Sequence, residues 1–216
     1  MKRFDAVFFD LDGTLTDPGE GITNSVAYAL RKNGVTVPPR EELYSFIGPP
    51  LRESFMKYFG FSPEQAMRAV SDYREYFAER GIFENEVYNG IPALLSDLQR
   101  EGSAVILATS KPTVYAVRIL ERFGLASFFA CTVGSELDGT RVNKGEVIAY
   151  AMKKSGFSDP SRIIMVGDRK HDVEGAQENG MAAIGVLYGY GSRGELEAAG
   201  ACCLAQSAEE LRTLLL

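Results

Sequence analysis

Short apolar runs alternate along this chain with longer segments in which apolar residues recur at the spacing of a helix. Such runs predict buried strands, and the helical segments between them predict the crossover connections of a parallel sheet. The pattern therefore predicts an α/β fold, with a parallel sheet of about five strands flanked by helices. The predicted strands span residues 4–9, 104–108, 131–134, 162–166 and 182–187.

The first two predicted strands are separated by about ninety residues, whereas a single crossover needs far fewer. The excess predicts an inserted domain over residues 17–87, and the core domain then comprises residues 1–16 and 88–216. Helix start and stop signals divide the insertion into four helices. These helices are predicted to run from Gly21 to Lys32, from Arg40 to Phe46, from Leu51 to Phe59 and from Pro63 to Arg80.

The insertion carries aromatic residues at helical spacing, and we expect them to pack its own core. Residues 47–50 form a loop with one glycine and two prolines, which holds a fixed shape at low entropic cost. Such a loop either faces the functional site or serves only as a turn. The aromatic residues are Phe55, Phe59, Tyr73, Tyr76 and Phe77.

Two aspartates, Asp10 and Asp12, end the first predicted strand. Side chains at i and i+2 of an extended segment point to the same side, so both carboxylates face one point beyond the strand. A bound cation or a shared proton would relieve their repulsion. Two further strands lead into polar segments, residues 109–112 and 167–172. Because ligands bind outside the carboxyl ends of open parallel sheets, we expect one site to collect all three loops.

The composition indicates a protein with a substantial core, since 45% of its 216 residues are hydrophobic. A net charge of -6 and a pI near 5.0 argue against binding nucleic acid through bulk charge. Cys131 and the adjacent Cys202 and Cys203 show no metal-ligand or redox spacing. With neither a signal segment nor an apolar stretch long enough to span a bilayer, we expect a soluble, cytoplasmic protein without disulfides.

Four ordered motifs resemble those of the haloacid dehalogenase-like phosphatases. They are Asp10-Leu11-Asp12-Gly13-Thr14, Thr109 after a strand, Lys144, and Gly167-Asp168 with Asp172. The resemblance covers the whole chain and implies a Rossmann-like core with a helical cap, similar to that of the phosphoglycolate phosphatase-like branch. Segments 46–51, 167–172 and 185–191 resemble bacterial members often described as 5'-nucleotidase-like.

The resemblance implies distinct roles for the motif carboxylates. Asp10 is the nucleophile that forms a transient aspartyl phosphate. Asp12 is the general acid and base, which protonates the leaving alcohol and then activates the hydrolytic water. Hard oxygen ligands without a His or Cys cluster favour Mg²⁺. Asp10 and Asp168 bind it through carboxylates and Asp12 through its backbone carbonyl. Asp172 binds the ion directly or orients a water bound to it.

The same resemblance implies a set of phosphate-binding residues. The Thr109 hydroxyl holds a phosphoryl oxygen, helped by backbone N–H groups at the start of the following helix. Ser110 and Gly13 belong to the same set. Lys144 is expected at the N-terminal end of its helix, where a cation is unfavourable to the helix dipole, so we expect a compensating anion beside it. Arg52, in the cap, is a candidate contact for the leaving group.

Two further basic residues lie near the motifs and are assigned no catalytic role. Lys111 lies two residues after Thr109. We expect a solvent-exposed position for Lys111 at least as strongly as a position in the site. His171 lies between the two acids of the fourth motif. Because an aspartate nucleophile is already ionised at neutral pH, it needs no activating base. We therefore expect His171 at the surface or in a supporting position.

These features predict a Mg²⁺-dependent phosphatase acting on a small soluble phosphate ester. A nucleoside 5'-monophosphate is the first expectation, followed by 2-phosphoglycolate and then a sugar phosphate. Asp12 disfavours dehalogenation. A sugar-phosphate mutase remains an alternative, because the cap decides whether the phosphoryl group is transferred to water or returned to a sugar phosphate.

An alternative of another class is a receiver-like signalling domain, which keeps a phosphoryl group on an aspartate. A cap of about seventy residues argues against it, as does Asp12, which would hasten loss of that group. We expect a monomer or homodimer with neither nucleic acid nor membrane as a partner.

Overall fold

The computed structural model describes residues 3–216, and the chain divides into two compact units. One unit comprises Met1–Thr16 with Val87–Leu216, and the other comprises Asp17–Glu86. The strands are β1 (Ala6–Phe9), β2 (Thr16–Asp17), β3 (Glu86–Val87), β4 (Ala104–Pro112), β5 (Cys131–Ser135), β6 (Ile163–Gly167), β7 (Ala182–Val186) and β8 (Cys203–Ala205).

The helices are α1 (Gly19–Lys32), α2 (Arg40–Leu43), α3 (Leu51–Phe59), α4 (Pro63–Tyr76), α5 (Ile91–Arg100), α6 (Thr113–Arg122), α7 (Lys144–Ser155), α8 (Lys170–Glu178), α9 (Arg193–Ala199) and α10 (Ala208–Leu215). Within residues 3–216, no helix is long and apolar enough to cross a membrane. The α/β fold that the sequence predicts is confirmed.

The larger unit is built on a parallel sheet with the strand order β5-β4-β1-β6-β7-β8. This sheet has six strands where the sequence predicts about five, and the additional one is β8. Only three residues of β8 pair with β7, at the edge of the sheet. So short an apolar run gives no recognisable strand pattern, which is why the prediction missed it.

Both faces of the central strand β1 are buried, and all four of its residues have no exposed surface. Alternate residues of adjacent strands, including Phe8, Ile106 and Met165, share one face of the sheet. They pack there in one core cluster with Val147 of α7 and Val173 of α8. Burial on both faces explains why these strands read as continuous apolar runs.

The smaller unit, residues 17–86, contains the four predicted helices; the third keeps its predicted bounds, and the first begins at Gly19 instead of Gly21. The second stops at Leu43 and continues as a 3₁₀ turn over Tyr44–Phe46, and the fourth stops at Tyr76 and continues as a π-helical turn over Phe77–Gly81. Ser62 and Gln65 form a capping box at the start of α4, which satisfies backbone N–H groups that the helix leaves unpaired.

Aromatic side chains form much of the core of the smaller unit. Phe55, Tyr73 and Phe77 are buried, whereas Phe59 and Tyr76 are half-buried. The ring of Phe46 meets that of Phe55 edge-on, with 5.0 Å between centroids, a geometry that aromatic pairs favour. That this unit acts as a cap over the functional site stays a prediction.

Candidate active site

The ends of three adjacent strands bring the predicted site residues of the larger unit to one edge of the sheet. In the register of the sheet, Phe9 pairs with Leu107 of β4 and with Val166 of β6. The three chains therefore leave the sheet at nearly the same level, carrying Asp10, Thr109 and Asp168 with them. All three of these polar residues are buried, and Asp168 has no exposed surface.

Three buried carboxylates, those of Asp10, Asp168 and Asp172, form a cluster in which one oxygen of each lies within 4.8 Å of the others. Burial, reinforced by the charges of Asp172 and Asp10, raises the pKa of Asp168 well above its ordinary value. Burial likewise raises the pKa of Asp172 to about 6, although Lys144 opposes the rise. Packed carboxylates that resist ionisation gain by binding a cation, and an all-oxygen donor set suits Mg²⁺.

Lys144 is buried at the first position of α7 and joins two of these carboxylates. Its Nζ lies 2.5 Å from Oδ1 of Asp10 and 2.7 Å from Oδ1 of Asp172. The same nitrogen donates a hydrogen bond to the backbone carbonyl of Ala108 at 3.0 Å. Burial alone would lower the pKa of Lys144, but the charges of Asp10 and Asp172 outweigh it and leave that pKa raised. The lysine is therefore held as a cation.

The side chain of Asp12 lies beside a different lysine. Nζ of Lys111 is 2.5 Å from Oδ2 of Asp12, and Lys111 is only 9% exposed. Oδ1 of Asp12 is also buried, and within residues 3–216 it has no hydrogen-bond partner. Burial raises the pKa of Asp12 despite the opposing charge of Lys111. Of the two placements left open for Lys111, the solvent-exposed one is therefore wrong.

The length of β4 explains this correction. The sequence predicts a strand ending at residue 108, but the extended backbone continues through Pro112. Thr109 and Lys111 are then two residues apart on one strand, a spacing that places their side chains on the same side. The alternation Thr109-Ser110-Lys111 was the signal that could have identified Lys111 as a site residue.

Thr109 and Ser110 lie at the end of β4, where the sequence predicts phosphate binding. The Thr109 hydroxyl is buried and accepts a hydrogen bond from the backbone N–H of Lys111 at 3.2 Å. The carbonyl of Ser110 accepts one from the hydroxyl of Ser135 at 2.7 Å. These bonds fix the loop, while the binding of a phosphoryl group by Thr109, Ser110 and Gly13 stays a prediction.

Asp168 is enclosed by two glycine-containing segments. Gly13 has a φ of 82°, and a Cβ there would overlap the Asp168 carboxylate. A Cβ at Gly189 or Gly191 would likewise overlap Asp168 atoms. The backbone N–H of Tyr190 donates to Oδ2 of Asp168 at 2.8 Å. No site role is predicted for residues 187–191 from the sequence, although their repeated glycines indicate a close backbone approach.

Asp172 combines a site position with a structural role, because Oδ2 accepts a hydrogen bond from the backbone N–H of Arg169 at 3.0 Å, at the start of α8. The side chain of His171 is 37% exposed and lies 3.7 Å from Glu174, and burial lowers its pKa. Arg52 is exposed on α3 in the smaller unit, and its contact with a leaving group stays a prediction.

Known proteins resemble this chain over most of its length. The family model described as haloacid dehalogenase-like hydrolase matches residues 7–186. A Pseudomonas aeruginosa protein named 5'-nucleotidase is 47% identical over 196 residues, which are 91% of this chain and 88% of that protein. The crystal structure of a predicted phosphatase from Clostridium acetobutylicum has a TM-score of 0.95 and 49% sequence identity, covering 98% of this chain and 97% of its own.

A further relative carries a different name. Tyrosine-protein kinase PtkA of Mycobacterium tuberculosis is 40% identical over 185 residues. The match covers 86% of this chain but only 62% of the kinase. The shared part is therefore nearly the whole of this chain, while more than a third of that relative lies outside it.

Proposed function

This chain belongs to the haloacid dehalogenase-like hydrolase family as a phosphoric monoester hydrolase, and from that premise we propose that it hydrolyses a nucleoside 5'-monophosphate through an aspartyl phosphate on Asp10. The observation that carries the proposal is the contact of a buried Asp10 with a buried Lys144, beside Asp168 and Asp172. A second carboxyl group, that of Asp12, lies two residues further along the chain. The proposed nucleophile Asp10, the cation Lys144 and the acid Asp12 are thus available beside the end of β1.

In the first half of the reaction, an oxygen of Asp10 attacks phosphorus while the bond from phosphorus to the leaving oxygen breaks. Asp12 gives its proton to that oxygen, so that the nucleoside leaves as an alcohol. The raised pKa of Asp12 favours the protonated form that this step requires. Lys144 and the Thr109 hydroxyl stabilise the charge that spreads over the phosphoryl oxygens.

In the second half, the carboxylate of Asp12 takes a proton from water as that water attacks phosphorus. The bond between phosphorus and the Asp10 oxygen breaks, releasing inorganic phosphate and restoring both aspartates. One residue serves as acid and then as base because it ends the first half deprotonated. Asp10 needs no base in either half, which leaves His171 outside the mechanism.

The carboxylate cluster fits a Mg²⁺ ion, since three buried carboxyl groups lie together and the cluster contains no His or Cys ligand. The pKa values of two of them, Asp168 and Asp172, are raised. Asp10 and Asp168 would hold the ion through carboxylates and Asp12 through its backbone carbonyl, with Asp172 supporting them. When bound, Mg²⁺ supplies charge neutralisation for the phosphoryl group.

The relative named 5'-nucleotidase supports the choice of a nucleotide. The alternatives are 2-phosphoglycolate and a sugar phosphate, with a mutase as the variant in which the phosphoryl group returns to substrate. A receiver-like domain is the alternative outside enzymes, and it would hold the phosphoryl group without repeated release.

The decisive experiment is phosphate release with Mg²⁺ from a panel of nucleoside 5'-monophosphates, 2-phosphoglycolate and sugar phosphates, comparing kcat/KM. ATP with a tyrosine peptide belongs in the panel because of the relative named a kinase. We expect a nucleotide preference of about a hundredfold, equivalent to roughly 2.7 kcal/mol in the transition state. Equal or greater turnover of another class would overturn the substrate assignment.

The mechanism is tested with Asp10→Asn, which should abolish turnover and leave the fold intact. Asp159→Asn is the matched control, because Asp159 is exposed and lies outside the carboxylate cluster. Turnover by Asp10→Asn at the wild-type rate would exclude the aspartyl phosphate. A phosphorylated wild-type protein that releases no phosphate over many cycles would favour the receiver-like alternative.

A further inference from the structure

Lys111 holds one oxygen of the Asp12 carboxyl group and leaves the other without a partner among residues 3–216. We propose that Lys111 is a positioning residue for the acid and base: it binds Oδ2 of Asp12 so that Oδ1 is the oxygen that gives and takes the proton. This inference rests on the proposed function, since it requires Asp12 to exchange a proton with the leaving group and with water.

Both Lys111 and the unpaired oxygen of Asp12 are buried. Lys111 is 9% exposed, and Oδ1 of Asp12 is out of reach of solvent. A buried carboxyl oxygen without a partner costs about 1–3 kcal/mol relative to a satisfied one. Oδ1 of Asp12 is therefore suited to contact the substrate, because a substrate atom can supply the missing hydrogen bond.

The backbone that carries Lys111 is shaped for this contact. The register between β4 and β5 shifts between Ala108 and Pro112, and such irregularities re-aim side chains next to active sites. A Cβ at Gly134 of β5 would overlap the carbonyl oxygen of Lys111, so this close approach of the two strands requires glycine. The Lys111 N–H also bonds the Thr109 hydroxyl, which ties both side chains to one local conformation.

The chemical step assigns each Asp12 oxygen a separate task. As phosphorus binds the Asp10 oxygen and releases the leaving oxygen, the proton moves from Oδ1 of Asp12 to that leaving oxygen. The carboxylate that results is stabilised at Oδ2 by the Lys111 ammonium. In the second half Oδ1 regains a proton from the attacking water, so Lys111 never needs to give up a proton of its own.

The charges around Asp12 support this assignment. Lys111 Nζ lies 2.5 Å from Oδ2 of Asp12. Lys144 is itself in contact with Asp10 and Asp172. Lys111 is therefore the cation whose contact is made directly with the acid, while Lys144 acts at the nucleophile.

The test is the dependence of the Lys111 effect on the leaving group. An alkyl phosphate, the nucleoside 5'-monophosphate that the wild-type enzyme hydrolyses best, needs a proton on its leaving oxygen. p-Nitrophenyl phosphate releases a stabilised phenolate that needs none. We would measure kcat and KM for both esters with Mg²⁺ in wild type, Lys111→Met, Lys111→Arg, Asp12→Asn and the double variant Lys111→Met with Asp12→Asn.

We expect Lys111→Met to lower kcat/KM for the alkyl ester about a hundredfold, with at most a threefold change in kcat/KM for the aryl ester, because kcat/KM does not include the later hydrolysis of the aspartyl phosphate that the two esters share. Lys111→Arg should restore most of the loss because it keeps the cation. In the Asp12→Asn background, Lys111→Met should cause little further loss, since residues that act through one another are not additive. The ratio of the two esters does not depend on the fraction of folded molecules.

Equal losses with both esters would overturn the proposal and identify Lys111 as a ligand of the phosphoryl group. An unchanged kcat/KM for the alkyl ester in Lys111→Met would overturn it as well, as would a full additional loss in the Asp12→Asn background. A wild-type protein that hydrolyses neither ester would instead overturn the proposed function, and with it this role for Lys111.

Discussion

Lys144 Nζ lies 2.5 Å from Oδ1 of Asp10, and both side chains are buried. Lys144 is the first residue of α7, where the helix dipole disfavours a positive charge. Asp10 and Asp172 offset that cost by contacting the ammonium. One cation thus holds two of the three clustered carboxylates, so we expect it to contribute to stability as well as to the proposed reaction.

Replacing Lys144 with Met should therefore impair both properties. Removing one partner of a buried ion pair leaves uncompensated charge, so we expect the free energy of unfolding to fall by about 3–5 kcal/mol. We expect kcat to fall by about a hundredfold or more, because the phosphoryl charge loses a fixed cation. Urea unfolding of the Mg²⁺-free protein and steady-state kinetics measure the two effects.

The matched control is Lys153→Met, which removes a lysine of the same helix that is exposed. This variant should change the free energy of unfolding by less than about 0.5 kcal/mol. If Lys144→Met and Lys153→Met had the same stability and the same kcat, the central place given to Lys144 would be wrong.

Mg²⁺ affinity should increase with pH in the range where Asp172 ionises. Burial raises the pKa of Asp172 to about 6, so below this pH a proton competes with the ion for the carboxylate. In the Mg²⁺-free protein, the raised pKa contributes stability that is fully present below the unfolded value near 3.8 and is lost as the pH rises through about 6. Calorimetric titration with Mg²⁺ on both sides of this pH measures affinity and proton release together.

Asp172→Asn is the companion variant for that titration. It removes one titrating group and one like charge beside Asp168, whose own pKa is raised in part by Asp172. The pH dependence of Mg²⁺ binding should become shallower, with fewer protons released per ion bound. Binding that is independent of pH in both proteins would show that the ion does not meet these carboxylates.

The sequence was informative about the sheet because strands buried on both faces are continuous apolar runs, as in β1 and β6. It was less informative where an element was short or changed type. Three residues at the sheet edge sufficed for β8, and α4 passes into a π-helical turn at Phe77 without any glycine or proline to mark the change. Hydrogen bonding and packing from neighbouring segments decide such ends.

The site residues were likewise predicted in part from the sequence. Paired carboxylates at a strand end indicated chemistry at Asp10 and Asp12, and the structure brings Asp10 together with Asp168 and Asp172. The contact between Lys111 and Asp12 joins residues 99 positions apart. The spacing of residues along the sequence does not reveal a contact between such distant positions. The burial of Lys111 also depends on the extension of β4 to Pro112, which was not predicted.

Gly191 should be required for the position of Asp168, because a Cβ there would overlap the carbonyl oxygen of Asp168. We expect Gly191→Ala to lower the free energy of unfolding by about 1–3 kcal/mol and to weaken Mg²⁺ binding as the Asp168 backbone shifts. Gly194→Ala is the control: nothing lies within 4 Å of a Cβ there, and alanine in a helix is favoured over glycine by about 0.5–1 kcal/mol. Thermal unfolding with and without Mg²⁺ compares the two variants. Should Gly191→Ala match Gly194→Ala in stability and in the shift produced by Mg²⁺, the enclosure of Asp168 by residues 187–191 would have no part in forming the proposed metal site.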